Sequence, residues 1–325
     1  MKRQKLVPKM IFYVLITLLI FSFTTSAFAQ AKAKKTSLRF VFIPKVVHPW
    51  YDMVIEGAKE NADFLSKASG QKIVIDYIAP PQADVMIHNS TIERAIATKP
   101  DGLAVAILDA ATNARQLETS MKQGIPTIIY DSVPPKKGMK IVSVGCDYVN
   151  QGAQMAEELS KLMNFQGNVG VLIGAPTAPN HQLRVVGVKQ VFKKYPKIKI
   201  VAEGIDNDSI EEAQKAAANI LSAHPEINGM IGVNAAAPIG IGIAIREASK
   251  KGKIKFVGEE DLPEMLKQLE EGIASSTSVQ RTRQIGWWSC LILWLYNDGR
   301  IVPEKIDTGT FMVYPKDIPV YRSWQ

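Results

Sequence analysis

The chain of 325 residues has little of what catalysis or cofactor binding usually requires. It holds two cysteines, Cys146 and Cys290, far apart and in different predicted elements, and they read as two buried thiols rather than a bridge. Its four histidines, His48, His88, His181 and His224, have no metal-ligand spacing, so no metal site is expected. No Gly-rich phosphate loop and no serine elbow is present, and Gly240-Ile241-Gly242 is a pair of glycines in a helical pattern without the rest of a dinucleotide fingerprint. No cofactor is expected, and binding is a simpler account than catalysis. Excess charge is small as well. The formal charge of +8 includes four basic residues and no acidic one in residues 1–29, leaving 8 − 4 = +4 for the remainder, which does not call for a nucleic-acid partner. There is one long apolar run, residues 10–23, short for a membrane span of about 20 residues. It follows Lys2, Arg3, Lys5 and Lys9 and precedes Ala27-Phe28-Ala29, the pattern of a secretory signal peptide with cleavage expected after Ala29. No cysteine follows that run to carry a lipid anchor.

What is present is ordinary globular composition, 46% hydrophobic and 22% charged, enough for two cores of domain size. Residues 38–60 read as a strand, a loop with His48, Pro49, Trp50 and Tyr51, and a helix carrying Val54, Ile55 and Ala58 on one face. Open α/β sheets bind ligands beyond the carboxyl ends of their strands, so Trp50 and Tyr51 are expected to face a ligand. Apolar strands at 72–77, 103–108, 127–130 and 140–144 then alternate with helices at 85–98, 112–123 and 150–163. A second series follows, with strands at 169–173, 198–202, 229–233 and 254–257 and helices at 181–194, 210–223, 238–249 and 263–270. A strand at 274–279 and a helix at 281–295 read as a late return. Strands apolar throughout imply parallel sheets covered on both faces. The fold class expected is α/β: two doubly wound parallel-sheet lobes with a cleft between them, joined by a multi-strand hinge. The expected division is a signal peptide at 1–29, a first lobe of 36–135 plus about 260–290, and a second of 150–259 plus about 291–325. Hinge crossings are expected near 132–148, 258–262 and 275–310.

Several short segments point to a family. They are His48-Pro49-Trp50-Tyr51, the segment Gly124-Ile125-Pro126 leading to Tyr130 and Asp131, Asp147 with Gly152, Arg184 before Gly187, Asn234 at a strand end, and Gln280 with Gln284-Ile285-Gly286. In this order they resemble the periplasmic sugar-binding proteins of the ribose and galactose class, over essentially the whole mature chain. The resemblance implies the two-lobed fold and a cleft site. Sugars present hydroxyls around an apolar ring face, so such a site needs aromatic plates and groups that bond hydroxyls in pairs. Trp50 and Tyr51 would be the plates, Asp131 and Arg184 the charge-assisted partners, and Asn234 and Gln280 the amides that donate and accept at once.

The chain also departs from the pattern. Ala235 follows Asn234 where the family usually has an acidic residue, and Glu259-Glu260 replaces an aromatic-aspartate pair, which keeps Glu260 as an acidic site residue. Ile43-Pro44-Lys45 and Tyr130-Asp131-Ser132 resemble segments of the related autoinducer-2-binding protein, which adds Lys45 and Ser132 to the site. A lysine at the cleft mouth favours an anionic or acid sugar as readily as a neutral one. The implied function is a monomeric, non-enzymatic periplasmic protein that captures a small sugar, polyol or related signalling molecule for an ABC importer. The alternative is a periplasmic co-receptor that signals to a membrane sensor kinase, as the similar trimethylamine-oxide sensing accessory proteins do.

Overall fold

Strand β1 (Ser37–Ile43) has Phe40, Val41, Phe42 and Ile43 wholly buried, and a strand with no polar side can sit only inside a sheet covered on both faces. In the computed structural model, which describes residues 35–322, it does so. It pairs with β2 (Lys72–Tyr77) on one side and β3 (Gly102–Ala106) on the other. The sheet continues through β4 (Thr127–Tyr130), β5 (Val142–Gly145) and β11 (Lys305–Asp307) in the order β11-β5-β4-β3-β1-β2, parallel throughout. Strand β6 (Gly167–Ile173) repeats the plan between β7 (Ile198–Ile205) and β8 (Gly229–Gly232). The second sheet adds β9 (Lys255–Glu259), β10 (Ser276–Gln280) and β12 (Thr310–Val313), of which only β12 runs antiparallel.

The period of two along each strand assigns the helices to faces. Phe40 and Phe42 pack on α1 (Pro49–Ser69) and α9 (Thr282–Asn297), whereas Val41 and Ile43 pack on α2 (Val85–Ala97) and α3 (Ala110–Lys122). In the second lobe Val169, Val171 and Ile173 meet α4 (Tyr148–Leu162) and α5 (Pro179–Lys194). Leu172 and Met230 meet α6 (Ile210–Ala223), α7 (Ala236–Glu247) and α8 (Pro263–Glu270), with α10 (Ile318–Arg322) beside them. Two helix pairs are drawn close by glycine. A Cβ on Gly57 of α1 would stand 1.9 Å from the Arg283 carbonyl oxygen of α9, and one on Gly152 of α4 would stand 2.1 Å from that of Arg184 in α5.

Strand pairing corrects the lobe boundaries. Residues 276–280 were expected in the first lobe, but β10 pairs with β9 and β12 and puts Val279 into the second core. Residues from 291 onward were expected in the second lobe, but α9 packs into the first-lobe core as far as Tyr296, and β11 joins the first sheet. The chain therefore crosses between lobes at 145–148, 280–282 and 307–310, and not at 258–262, where β9 leads to α8 within one lobe. Strands β11 and β12 have three and four residues, and β11 is largely exposed.

The three crossings are tied to one another. Thr308 donates its backbone N–H (2.7 Å) and its hydroxyl (3.1 Å) to the Gly145 carbonyl, and Arg281 Nη1 donates to the Thr308 carbonyl at 2.6 Å. Cys146 Sγ donates to Gln280 Oε1 at 3.3 Å. Both cysteines are free and buried. Among the described residues no helix is long and apolar enough to cross a membrane. The signal segment and its cleavage after Ala29 lie outside the described residues.

Candidate functional site

The turn after β1 brings in the first half of the site. His48 caps α1 by accepting from the Trp50 N–H at 3.2 Å, and Pro49 at the first helical position suits the fixed φ of proline there. Trp50 and Tyr51 follow, their rings edge to face at 5.0 Å and 89°. Helix α5 repeats this opening in the second lobe: Pro179 stands where α1 has Pro49, and Asn180 and His181 stand where α1 has Trp50 and Tyr51. Gly187 is as far from Pro179 as Gly57 is from Pro49. A parallel exists at the strand ends. β4 runs into Asp131 with φ 46° and β9 runs into Glu260 with φ 67°, both left-handed conformations that a residue with a side chain adopts at a cost of about 1–3 kcal/mol and that cluster at functional sites.

These elements close on a narrow cavity of about 20 Å³ between the lobes. The lobes are closed on it. Asp131 of the first lobe accepts from Lys45 Nζ at 2.7 Å, from the Tyr51 hydroxyl at 2.9 Å and, across the cleft, from Asn180 Nδ2 at 3.1 Å. Thr177 Oγ1 also reaches across, to the Leu108 carbonyl at 2.8 Å. In the second lobe Arg184 Nε donates to Gln151 Oε1 at 2.7 Å, and Arg184 Nη2 lies 2.5 Å from Glu259 Oε1, an ion pair whose angle falls short of hydrogen-bond geometry. Gln280 donates Nε2 (2.7 Å) and its backbone N–H (3.3 Å) to Glu260. Asn234 Nδ2 donates to Asp208 at 2.7 Å and to Asp206 at 2.9 Å.

Enclosure shifts the titrating groups. Burial pushes the Glu260 carboxyl up to about 7, with Asp261 adding to the rise and Arg184 opposing it. Burial likewise raises Glu259 well above the carboxylate range despite Arg184. Burial, then the neighbouring Asp208, push Asp206 up to about 8. The His181 imidazole, 3.8 Å from Asp208, is pushed down to about 3 by burial, and His48 is lowered for the same reason. Both imidazoles are therefore neutral near pH 7. Several polar atoms of this lining are buried without a partner: His48 Nε2, Asn180 Oδ1, His181 Nδ1 and Asn234 Oδ1.

Eight of the nine residues expected at the site line the cavity: Lys45, Trp50, Tyr51, Asp131, Arg184, Asn234, Glu260 and Gln280. Ser132 does not; it is buried just past the left-handed turn at Asp131, outside the lining, with its hydroxyl unpartnered. Lys45 is not a cation at the cleft mouth: it is 1% exposed and already paired with Asp131. Trp50 and Tyr51 are not two parallel plates, since their rings are perpendicular and the Tyr51 hydroxyl is taken by Asp131. The lining also holds His48, Asn180, His181, Asp208 and Glu259, which the expected set omitted. Asn180 and His181 are legible once the two Pro-opened helices are aligned, because they occupy the places of Trp50 and Tyr51. Asp208 sits in a loop after β7, and no sequence pattern carries it to the cavity.

Two doubly wound lobes that close on a small polar cavity at the carboxyl ends of their strands define a class, the two-lobed small-molecule-binding proteins. The chain belongs to the periplasmic binding protein family: the family's model, a periplasmic binding protein domain, matches residues 40–301. It is similar to the D-allose-binding periplasmic protein of Escherichia coli, 27% identical over 297 residues that make up 88% of this chain and 91% of that one. It is also similar to the xylose/arabinose-binding protein of Sulfolobus acidocaldarius, 24% identical over 74% of this chain and 63% of the relative's length. A crystal structure of an ABC transporter solute-binding protein from Burkholderia graminis, in complex with D-arabinose, superposes with a TM-score of 0.81 at 29% identity, covering 88% of this chain and 98% of the other. These relatives are binding proteins rather than enzymes.

Proposed function

We propose that the protein captures a small sugar-like polyol between its lobes in the periplasm, after removal of residues 1–29, and delivers it in the closed form to an ABC importer. The observation that carries this reading is the set of buried, unpartnered donors and acceptors around the cavity. Each such group costs roughly 1–3 kcal/mol when left unsatisfied, so the closed form is favoured by a ligand that presents donors and acceptors in several directions at once. A polyol does so with few atoms, because every hydroxyl both donates and accepts. In this reading Asp131, Arg184, Asn234, Glu260 and Gln280 meet hydroxyls, Trp50 covers an apolar face, and Lys45 and Tyr51 position Asp131. The names of the relatives, which bind allose, xylose or arabinose, support the same class.

The test is a thermal-shift panel of pentoses, hexoses and polyols on purified protein freed of any co-purified molecule. A ligand that binds only the folded form must raise the Tm, by an amount set by its concentration relative to Kd. At least one sugar or polyol is expected to do so, and Asp131→Ala to abolish the shift. No shift with any member, or one that survives Asp131→Ala, refutes the reading.

A further inference from the structure

The charge inside the cavity narrows the ligand beyond a polyol, and the step rests on the sugar-like reading above. Two cations, Lys45 and Arg184, face four carboxyl groups, those of Asp131, Asp208, Glu259 and Glu260. Both cations are already engaged, Lys45 with Asp131 at 2.7 Å and Arg184 with Glu259 at 2.5 Å. That leaves two carboxyl groups without a lysine or arginine partner among the described residues, and their surroundings differ. Asp208 accepts from Asn234 Nδ2 at 2.7 Å and lies beside two imidazoles, with His181 Nε2 at 3.8 Å. Glu260 is held by uncharged donors, the side-chain and backbone amides of Gln280 and the Trp50 indole N–H, with Glu259 hydrogen-bonded beside it.

The repeat between the lobes shows what is missing. Asp131 and Glu260 are the corresponding residues, each left-handed at the end of the fourth strand of its lobe. In the first lobe the turn after β1 reads Ile43-Pro44-Lys45, and Lys45 balances Asp131. In the second, the turn after β6 reads Ile173-Gly174-Ala175, so an alanine stands where the balancing lysine would be. A buried carboxylate without a counter-charge is costly. We propose that the ligand supplies the missing cation: it carries a protonated amine together with its hydroxyls, as in an amino sugar or amino polyol, and Glu260, with Trp50 beside it, selects that amine. Sugar acids are disfavoured by the same arrangement, since no free cation remains to meet a carboxylate.

The experiment uses matched sets on purified full-length protein: glucosamine, glucose and glucuronate, with the galacto and manno counterparts, titrated calorimetrically at pH 7. In the set that binds, the amino sugar is expected to bind at least tenfold tighter than its neutral parent, and the uronate weakest. Glu260→Gln, which keeps the side-chain shape and loses the charge, is expected to collapse the preference for the amine to within about threefold. A neutral parent or a uronate that binds as tightly as the amino sugar, or a preference that survives Glu260→Gln, overturns the proposal while leaving sugar capture intact. Binding by no member of any set overturns the amine proposal, while the thermal-shift panel of pentoses, hexoses and polyols decides the sugar-like reading separately. The matched comparison is made on the unaltered protein, so it decides the matter even if Glu260→Gln fails to fold.

Discussion

Lys45 changes meaning between chain and fold. As a lysine in a loop beside two aromatics it suggests an anionic ligand, but paired with Asp131 and 1% exposed it has no charge left to offer one. Pairings of this kind are invisible in a sequence because the partners stand 86 residues apart. The buried acids have a measurable consequence of their own. Asp206 is raised from 3.8 to about 8 and Glu260 from 4.5 to about 7, so between those values the folded form holds protons that the unfolded chain has released. Their contribution is complete below the unfolded values and is lost as pH rises through the folded ones. The buried imidazoles have the opposite sign. His181 and His88, lowered from 6.5 to about 3 and about 4, leave the unfolded chain with the extra protons, so they add stability as pH rises towards 6.5 and nothing beyond it. Above 6.5 the acids act alone. The Tm of the ligand-free protein is therefore expected to fall between pH 6.5 and 8.5, and Asp206→Asn to flatten part of that fall. Calorimetry across the range checks it, and a Tm that rises with pH would contradict the assignment.

At the scale of elements, the glycines of the helix pairs decide where the site residues stand. α4 and α5 touch backbone to backbone at Gly152 and Gly187, and the carbonyl that Gly152 approaches is that of Arg184 itself. A methyl group there has only rigid main chain to displace, so the helices must separate. Gly152→Ala is expected to cost about 1–3 kcal/mol, the usual range for overpacking, read from denaturant unfolding. Because the separation carries Arg184 away from Glu259, the affinity for the ligand is expected to fall as well, by tenfold or more. Stability and affinity both unchanged would show that the helix pair can move apart freely. Apolar runs and caps made most of these elements legible, with 127–130, 210–223 and 263–270 placed to the residue. The short strands β11 and β12 were not legible, since pairing with a neighbour defines strands of three and four residues.

For the whole molecule, the two lobes are joined by three crossings of the chain. The bonds among Gly145, Cys146, Gln280, Arg281 and Thr308 tie the crossings into one hinge, and Cys146 Sγ, 3.5 Å from Gln151 Oε1, sits between that hinge and the cavity. In the closed form the Cys146 thiol is buried, and burial raises its pKa far above the ordinary thiol value, so it is unreactive. In the proposed open form it parts from Gln280. Maleimide labelling of Cys146, followed by mass spectrometry, is therefore expected to slow at least tenfold when ligand is added. Cys290, deep in the first-lobe core, is expected to stay unlabelled in both conditions. Equal labelling of Cys146 with and without ligand would mean that the hinge does not open there.

The amino-acid sequence by itself determined the two α/β lobes, the parallel sheets and eight residues of the cavity, because strand burial, helix caps and turn residues act over short stretches of chain. It did not determine on which side of the hinge β10 and α9 lie, because either lobe offers a sheet edge and an apolar face to receive them. Nor did it determine the charge of the cavity. That depends on which cation reaches which carboxylate, on burial that removes the water otherwise available to both, and on an alanine at position 175 whose significance appears only when the two lobes are compared in space.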